Sequence, residues 1–174
     1  WNSAKLSSLP AAQQQIFLQK NQELFTQFTI AGGGNWGVME KVRDSFNWTT
    51  LDSLKSLCIA QNLEGREQSM IGRDQYTPSA WLCTIKDSLT LQREFRDWLT
   101  AYFDRYGSLF PSVNIFNEPV GWSNDKEGRP CWADLVGGDG STGFNWLVWA
   151  AGEVRRLAPE DVWLTINESR ILNS

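Results

Sequence analysis

The spacing of apolar positions changes period repeatedly along the chain. Residues 11–24 repeat at helical spacing, with Ile16, Lys20 and Leu24 on one side and Pro10 in the first turn. Phe28 and Ile30 then alternate in a short strand that ends at Gly32-Gly33-Gly34. A helix is predicted over about 50–61, capped by Thr49 or Thr50, with Leu51, Leu54, Leu57 and Cys58 on its buried face. Residues 65–72 read as a strand made unusually polar by Arg66, Glu67 and Gln68. The clearest helix covers 89–106, where Leu91, Phe95, Trp98, Leu99, Tyr102, Phe103 and Tyr106 form one stripe and Gly107 stops it. Residues 112–117 form a strand. A helix over 143–157 turns Leu147, Ala150, Ala151, Val154 and Leu157 inward, and residues 162–167 form the last strand.

The order is one helix, then strand and helix three times, then a strand. Such alternation implies an α/β fold with a parallel sheet and crossover helices. Two architectures accommodate it: an open doubly wound sheet and part of a (β/α)8 barrel. A full barrel takes about 250 residues, so four strands in 174 residues are about half of one. No internal repeat or linker divides the chain. It starts at Trp1, which fits a processed product or a segment of a longer protein.

Composition narrows the chemistry. The chain has ten tryptophans and no histidine. No Ser-His-Asp triad, Cys-His dyad or His-ligated zinc is possible within it, and three cysteines alone make no ordinary zinc site. We expect no metal and no cofactor. Net charge is -4, against the basic footprint of a nucleic-acid or anionic-membrane partner. No apolar run approaches the ~18 residues of a membrane span.

Cys58 reads as a buried free thiol, whereas Cys83 and Cys131 lie in loop-like sequence where pairing and free thiols are both open. Sequons occur at Asn47-Trp48-Thr49 and Asn167-Glu168-Ser169. They and the possible bridge lean toward an extracellular, secreted location.

Gly32-Gly33-Gly34-Asn35-Trp36-Gly37 matches the dinucleotide fingerprint. The acid about 20 residues on that should end a strand is missing, since Asp52 falls inside the next helix. The run Gly137–Gly143 lacks the lysine of a phosphate loop and reads as a turn.

Asn117-Glu118-Pro119 is the strongest chemical signal. It ends an apolar strand, where α/β folds place their ligands, with Trp122 and Trp132 in the loop beyond. A carboxylic acid beside aromatic rings suits sugar chemistry: the acid protonates a glycosidic oxygen and the rings stack on sugar faces.

These residues carry a family resemblance. Val113-Asn114-Ile115-Phe116-Asn117-Glu118 resembles the fourth-strand Trp-Asp-Val-Val-Asn-Glu of glycoside hydrolase family 10, the xylanase family. Trp36 to Glu40 resembles its Lys-Trp-Asp-x-x-Glu segment, and Phe46 to Asp52 its Phe-x-Phe-x-x-Ala-Asp helix entry. Gln75 through Pro78 to Trp81 is similar to its Gln-x-Pro-x-Trp loop, and Ile166-Asn167-Glu168 to its fifth-strand Asn-Asp-Tyr-Asn. The resemblance implies a TIM barrel covered from before its second strand to the end of its fifth, so that residues 1–174 are a partial barrel domain.

It implies Glu118 as general acid/base and Asn117 as a hydrogen-bond partner near the sugar 2-hydroxyl. It also implies a β-linked polysaccharide as partner, together with the remainder of the barrel in the same or another chain. The family's nucleophile lies on a seventh strand outside this sequence. Trp81, Trp122, Trp132, Gln68, Arg73 and Asn35 are the expected substrate-binding positions. Three of them are departures: Gln68 and Arg73 stand where the family has histidines, and Asn35 where it has lysine. A strand tryptophan has become Gly72. Each lost polar sugar contact is worth about 0.5–1.5 kcal/mol. The expected function is therefore a non-catalytic glycan-binding or structural module of a larger extracellular protein. The alternative is half of an active retaining endo-β-1,4-glycanase.

Overall fold

In the computed structural model, which describes residues 8–31, 33–72, 79–107, 109–120 and 129–168, the strands form one parallel sheet. They are β1 (Gln27–Ala31), β2 (Glu64–Ile71), β3 (Ser112–Asn117) and β4 (Trp163–Asn167). Their order in the sheet is the order in the chain, β1-β2-β3-β4. That order decides between the two architectures. A doubly wound sheet reverses direction at a switch point, whereas a barrel adds each strand beside the last. The register places Thr29 beside Arg66, Gln68 beside Asn114, and Asn117 beside Asn167.

Among the described residues five α-helices accompany the strands: α1 (Ala11–Leu24), α2 (Trp36–Met39), α3 (Thr49–Gln61), α4 (Ser88–Tyr106) and α5 (Asn145–Leu157). The start of α4 is fixed by Asp87, whose carboxylate accepts from the Thr90 N–H at 2.8 Å. All seven residues of its predicted stripe are buried.

The start of α3 differs from expectation. Neither threonine caps it through its side chain: Trp48 occupies the N-cap position, and Asn47 Oδ1 accepts from the Thr49 N–H at 3.1 Å. The expected start of α5 at 143 also moves. Gly143 has φ +79°, which belongs to a turn, and the helix begins at Asn145. The four-residue α2 is too short to show a period.

The core lies between the sheet and α3, α4 and α5, with Phe28, Ile30, Leu54, Val113, Phe116 and Val154 all buried. Gly65 is required on β2, because a Cβ there would stand 2.3 Å from the Phe110 ring. Near the C-terminal ends of the strands the core is aromatic. Trp36 stacks on Trp98 with centroids 5.2 Å apart, and Phe95, Trp132, Trp146 and Trp149 pack around them.

Cys83 and Cys131 form a disulfide that ties the segment after β2 to the segment after β3. Cys58 is a buried free thiol. Among the described residues no helix is long and apolar enough to cross a membrane.

Two regions stay uncovered. No residue of α1 is buried, and Ile16 and Leu24 are 60% and 69% exposed. On β4, Trp163 is 76% and Ile166 48% exposed.

Candidate active site

The strand ends bring together a network of amides. Gln68 Nε2 on β2 donates to Asn117 Oδ1 on β3 at 3.3 Å, and Asn167 Nδ2 on β4 donates to the same oxygen at 3.0 Å. Asn167 Oδ1 in turn accepts from Asn114 Nδ2 at 2.9 Å. Two donors on its oxygen fix the orientation of the Asn117 amide. With the oxygen so used, the donor capacity of the Asn117 amide resides in its Nδ2 group.

Glu118 follows directly. Its side chain is exposed and its backbone is left-handed, with φ +56°. For a residue with a Cβ this conformation costs on the order of 1–2 kcal/mol. Two cross-strand bonds hold it: the Glu118 N–H donates to Asn167 O at 2.9 Å, and the Val120 N–H donates to Glu168 Oε2 at 2.9 Å. Glu168 therefore fastens the turn after Glu118 onto β4.

The other candidate residues scatter. Asn35 is buried, and its Oδ1 accepts from the Gly37 N–H at 3.1 Å, starting α2. Trp132, expected to stack on sugar, is a core residue 3% exposed, with both Trp36 and Trp146 against it. Asn35 and Trp132 share a cavity of about 20 Å³ with Trp36, Ile71 and Leu82, far too small for a sugar ring. Both differ from the expected open sugar contact for the same reason: the loop residues fold back onto the aromatic core and bury them.

Trp81 is half-buried. Its Nε1 donates to Glu40 O at 2.7 Å, and the Arg43 guanidinium lies 5.9 Å from its ring centre. Trp122 and Arg73 lie outside the described residues. Asn47 is exposed, whereas Asn167 is part of the amide network.

Two further acids, Glu67 of the polar strand and Glu40 of the Trp36–Glu40 segment, have a definite setting in the structure. Glu67 is fully buried, with Oε1 accepting from the Gly34 N–H at 3.0 Å. Burial pushes its carboxyl up to about 8, against the opposing effect of the Gly34 and Gln68 N–H groups. Tyr102 lies against the same turn, since a Cβ on Gly34 would be 2.9 Å from Glu67 Cδ and 3.0 Å from Tyr102 Cε2.

Glu40 is also buried and shifted upward by burial. Its Oε2 accepts from Trp36 Nε1 at 2.8 Å, which explains the four-residue spacing of that Trp and Glu. With Asp44 and Glu94 it forms an acidic group, but Arg43 and Arg93 already neutralise Glu94.

The arrangement offers one exposed acid beside one oriented amide. A retaining glycosidase needs two carboxyl groups about 5–5.5 Å apart. Among the described residues Glu67 is buried under Gly34 and Glu168 holds a backbone N–H, so neither is placed as a second acid with a demonstrated free carboxylate.

Solved structures share this fold. The chain resembles xylanase 10B from Thermotoga petrophila RKU-1, crystallised with xylobiose, at 16% identity and TM-score 0.71, covering 94% of this chain and 46% of that one. Xylanase B from Clostridium stercorarium F9 gives 17% identity and TM-score 0.68, over 89% of this chain and 48% of that one. A glycosylated endo-β-1,4-xylanase from Gloeophyllum trabeum gives 17% and 0.66, over 90% and 46%. The chain thus spans about half the length of these barrels. No curated protein sequence matches it. The family model of glycosyl hydrolase family 10 matches residues 4–174. With its sequential parallel strands and the Asn117-Glu118 strand end, the chain belongs to glycosyl hydrolase family 10 and covers about half of that family's TIM barrel.

Proposed function

We propose that this chain is the glycan-holding half of an extracellular family 10 domain, which binds a β-linked polysaccharide without cleaving it. The observation that carries the reading is the fixed amide of Asn117, held by Gln68 and Asn167 beside an exposed Glu118. It is a binding arrangement with a single acid, in a strand-end site that has lost histidines, a lysine and a tryptophan of the family pattern. The xylobiose in the Thermotoga petrophila relative makes a β-1,4-xylo-oligosaccharide the first ligand to try. The Cys83–Cys131 bridge and the exposed sequon at Asn47 favour an oxidising, secretory route.

A second reading has one observation in its favour. Glu118 is solvent-facing at the C-terminal end of a barrel strand, where an acid/base belongs. In that reading the remainder of the barrel supplies the nucleophile and the complete domain is a retaining endo-β-1,4-glycanase. Glycan-array binding of the chain and of Asn117→Ala tests the first reading. Retention of β-linked xylan or glucan by the native chain, lost in the variant, supports it, and equal binding by both removes its basis.

A further inference from the structure

The fold treats the asparagines of the two sequons differently. Asn47 lies in the segment before α3 and is exposed, as are residues 41–45 just ahead of it. Its side chain makes one hydrogen bond among the described residues, Oδ1 accepting from the Thr49 N–H at 3.1 Å, and that bond leaves Nδ2 unused. The backbone around it is nonetheless fixed. The Asn47 N–H donates to Met39 O at 2.7 Å, and Val42 and Ser45 form an antiparallel bridge. On the other side Trp48 packs against Tyr106 with ring centres 5.7 Å apart, and the Arg105 guanidinium lies 5.4 Å from the Trp48 ring centre. Tyr106 and Arg105 belong to α4, the crossover between the two middle strands. These contacts tie the Asn47 segment to the middle of the fold and not to either end of the sheet.

Asn167 is the reverse case. Its Nδ2 donates to Asn117 Oδ1 at 3.0 Å, its Oδ1 accepts from Asn114 Nδ2 at 2.9 Å, and its backbone oxygen accepts from the Glu118 N–H. A sugar on Nδ2 replaces one of its two hydrogens and sets a bulky polar ring in the amide network.

We propose that Asn47 carries an N-linked glycan in the folded protein and that Asn167 stays bare. The inference rests on the extracellular reading above, because this modification belongs to the secretory route. The donor is an oligosaccharide joined through C1 of its first N-acetylglucosamine to a lipid pyrophosphate. Asn47 Nδ2 bonds to C1, and the C1–O bond to the pyrophosphate breaks with its electron pair on the departing oxygen. The amide gives up one proton to solvent and becomes a secondary amide, with nothing oxidised or reduced. At Asn47 this change consumes only an unused Nδ2 hydrogen, so the Oδ1 bond to the Thr49 N–H persists and the sugar extends into solvent. At Asn167 the same change falls on the group that holds Asn117, so a sugar there and the intact amide network exclude one another.

Peptide mapping by mass spectrometry of the protein secreted from a eukaryotic cell tests this, before and after peptide N-glycosidase, which turns the carrier asparagine into aspartate. The expected result is one occupied peptide, the one containing Asn47, and one shift in gel mobility that is lost in both Asn47→Gln and Thr49→Ala. The two substitutions remove the sequon through different side chains, so a folding defect of either one does not imitate the result. A bare Asn47 in a secreted product whose Cys83–Cys131 bridge has formed overturns the proposal. Secretion and oxidation have then both occurred, so that outcome leaves the extracellular reading standing. A sugar on Asn167 of the secreted protein also overturns it, as does a mobility shift that survives both substitutions.

Discussion

The side-chain amide of Asn167, on β4, donates a 3.0 Å hydrogen bond to Asn117 Oδ1, on β3, one residue before Glu118. The same Asn167 accepts from Asn114 Nδ2, and its backbone oxygen accepts from the Glu118 N–H. One residue of the last strand thus sets both the amide and the acid of the candidate site.

Asn167→Ala is expected to cost about 1–3 kcal/mol in urea unfolding, because it leaves a buried Asn114 donor without its best acceptor. It also releases the Asn117 amide. Oligosaccharide affinity is therefore expected to fall even under conditions where the variant is fully folded, a separation that titration calorimetry beside the unfolding curve reads directly.

Glu67 gives a dependence on pH. Between its ordinary value of 4.5 and about 8 the folded chain holds a proton at this buried carboxyl that the unfolded chain has lost. Stability from this group is therefore complete below about 4.5, falls as pH rises to about 8 and is level above. Melting the native chain and Glu67→Gln at a series of pH values is expected to give a difference that grows in favour of the variant across that window. A constant difference would show that Glu67 ionises as freely when folded as when unfolded.

Glu153 acts in the opposite direction. The Arg96 guanidinium, bound at 2.7 Å, and then Arg156 hold its carboxyl down to about 2. Its contribution is present above the ordinary carboxylate value and is lost as pH falls through about 2. Glu153→Gln is expected to destabilise the chain by about 1–2 kcal/mol near neutrality. The penalty should shrink in acid, as a chemical-denaturation series at falling pH would report.

The bridge between Cys83 and Cys131 closes a segment 48 residues apart in sequence. A loop of that size is worth roughly 4 kcal/mol through the entropy of the unfolded chain. Reduction, or a Cys83→Ser, Cys131→Ser pair, is expected to lower the melting temperature while β1 and α3, outside the loop, keep their hydrogen-exchange protection order. An unchanged melt would mean that the two loops are held by the aromatic core alone.

The long periodic elements were legible in the sequence because one rule governs each of them. The α4 stripe reads at helical spacing and is buried in full, and Val113 to Phe116 reads as an apolar strand and is buried throughout. Strand order was not legible in the periodicity, since it depends on contacts between residues about 50 apart, such as Gln68 with Asn117; it came from the family resemblance, which implied consecutive barrel strands.

Trp132 misled for a physical reason. A tryptophan in a Gly- and Asp-rich loop looks solvent-facing, yet the loop turns back and places the ring against Trp36 and Trp146. The burial of Glu67 was not legible, because a carboxylate is rarely buried without a cation; the structure sets it against the close turn at Gly34. Asn117 and Glu118 stood out as candidates because a strand end carries chemistry by position. Their supporting partners Asn114, Thr165 and Glu168 come from neighbouring strands and needed the register to appear.

The most direct measurement of the central claim is reducing-end release from soluble β-1,4-xylan, run beside calorimetric binding of a xylo-oligosaccharide to the same preparation. The account predicts binding that Asn117→Ala abolishes, with no release above the no-protein control and no change in release for Glu118→Gln. Release of reducing ends by the native chain, lost in Glu118→Gln, would contradict it and make this half of the barrel part of an active glycanase.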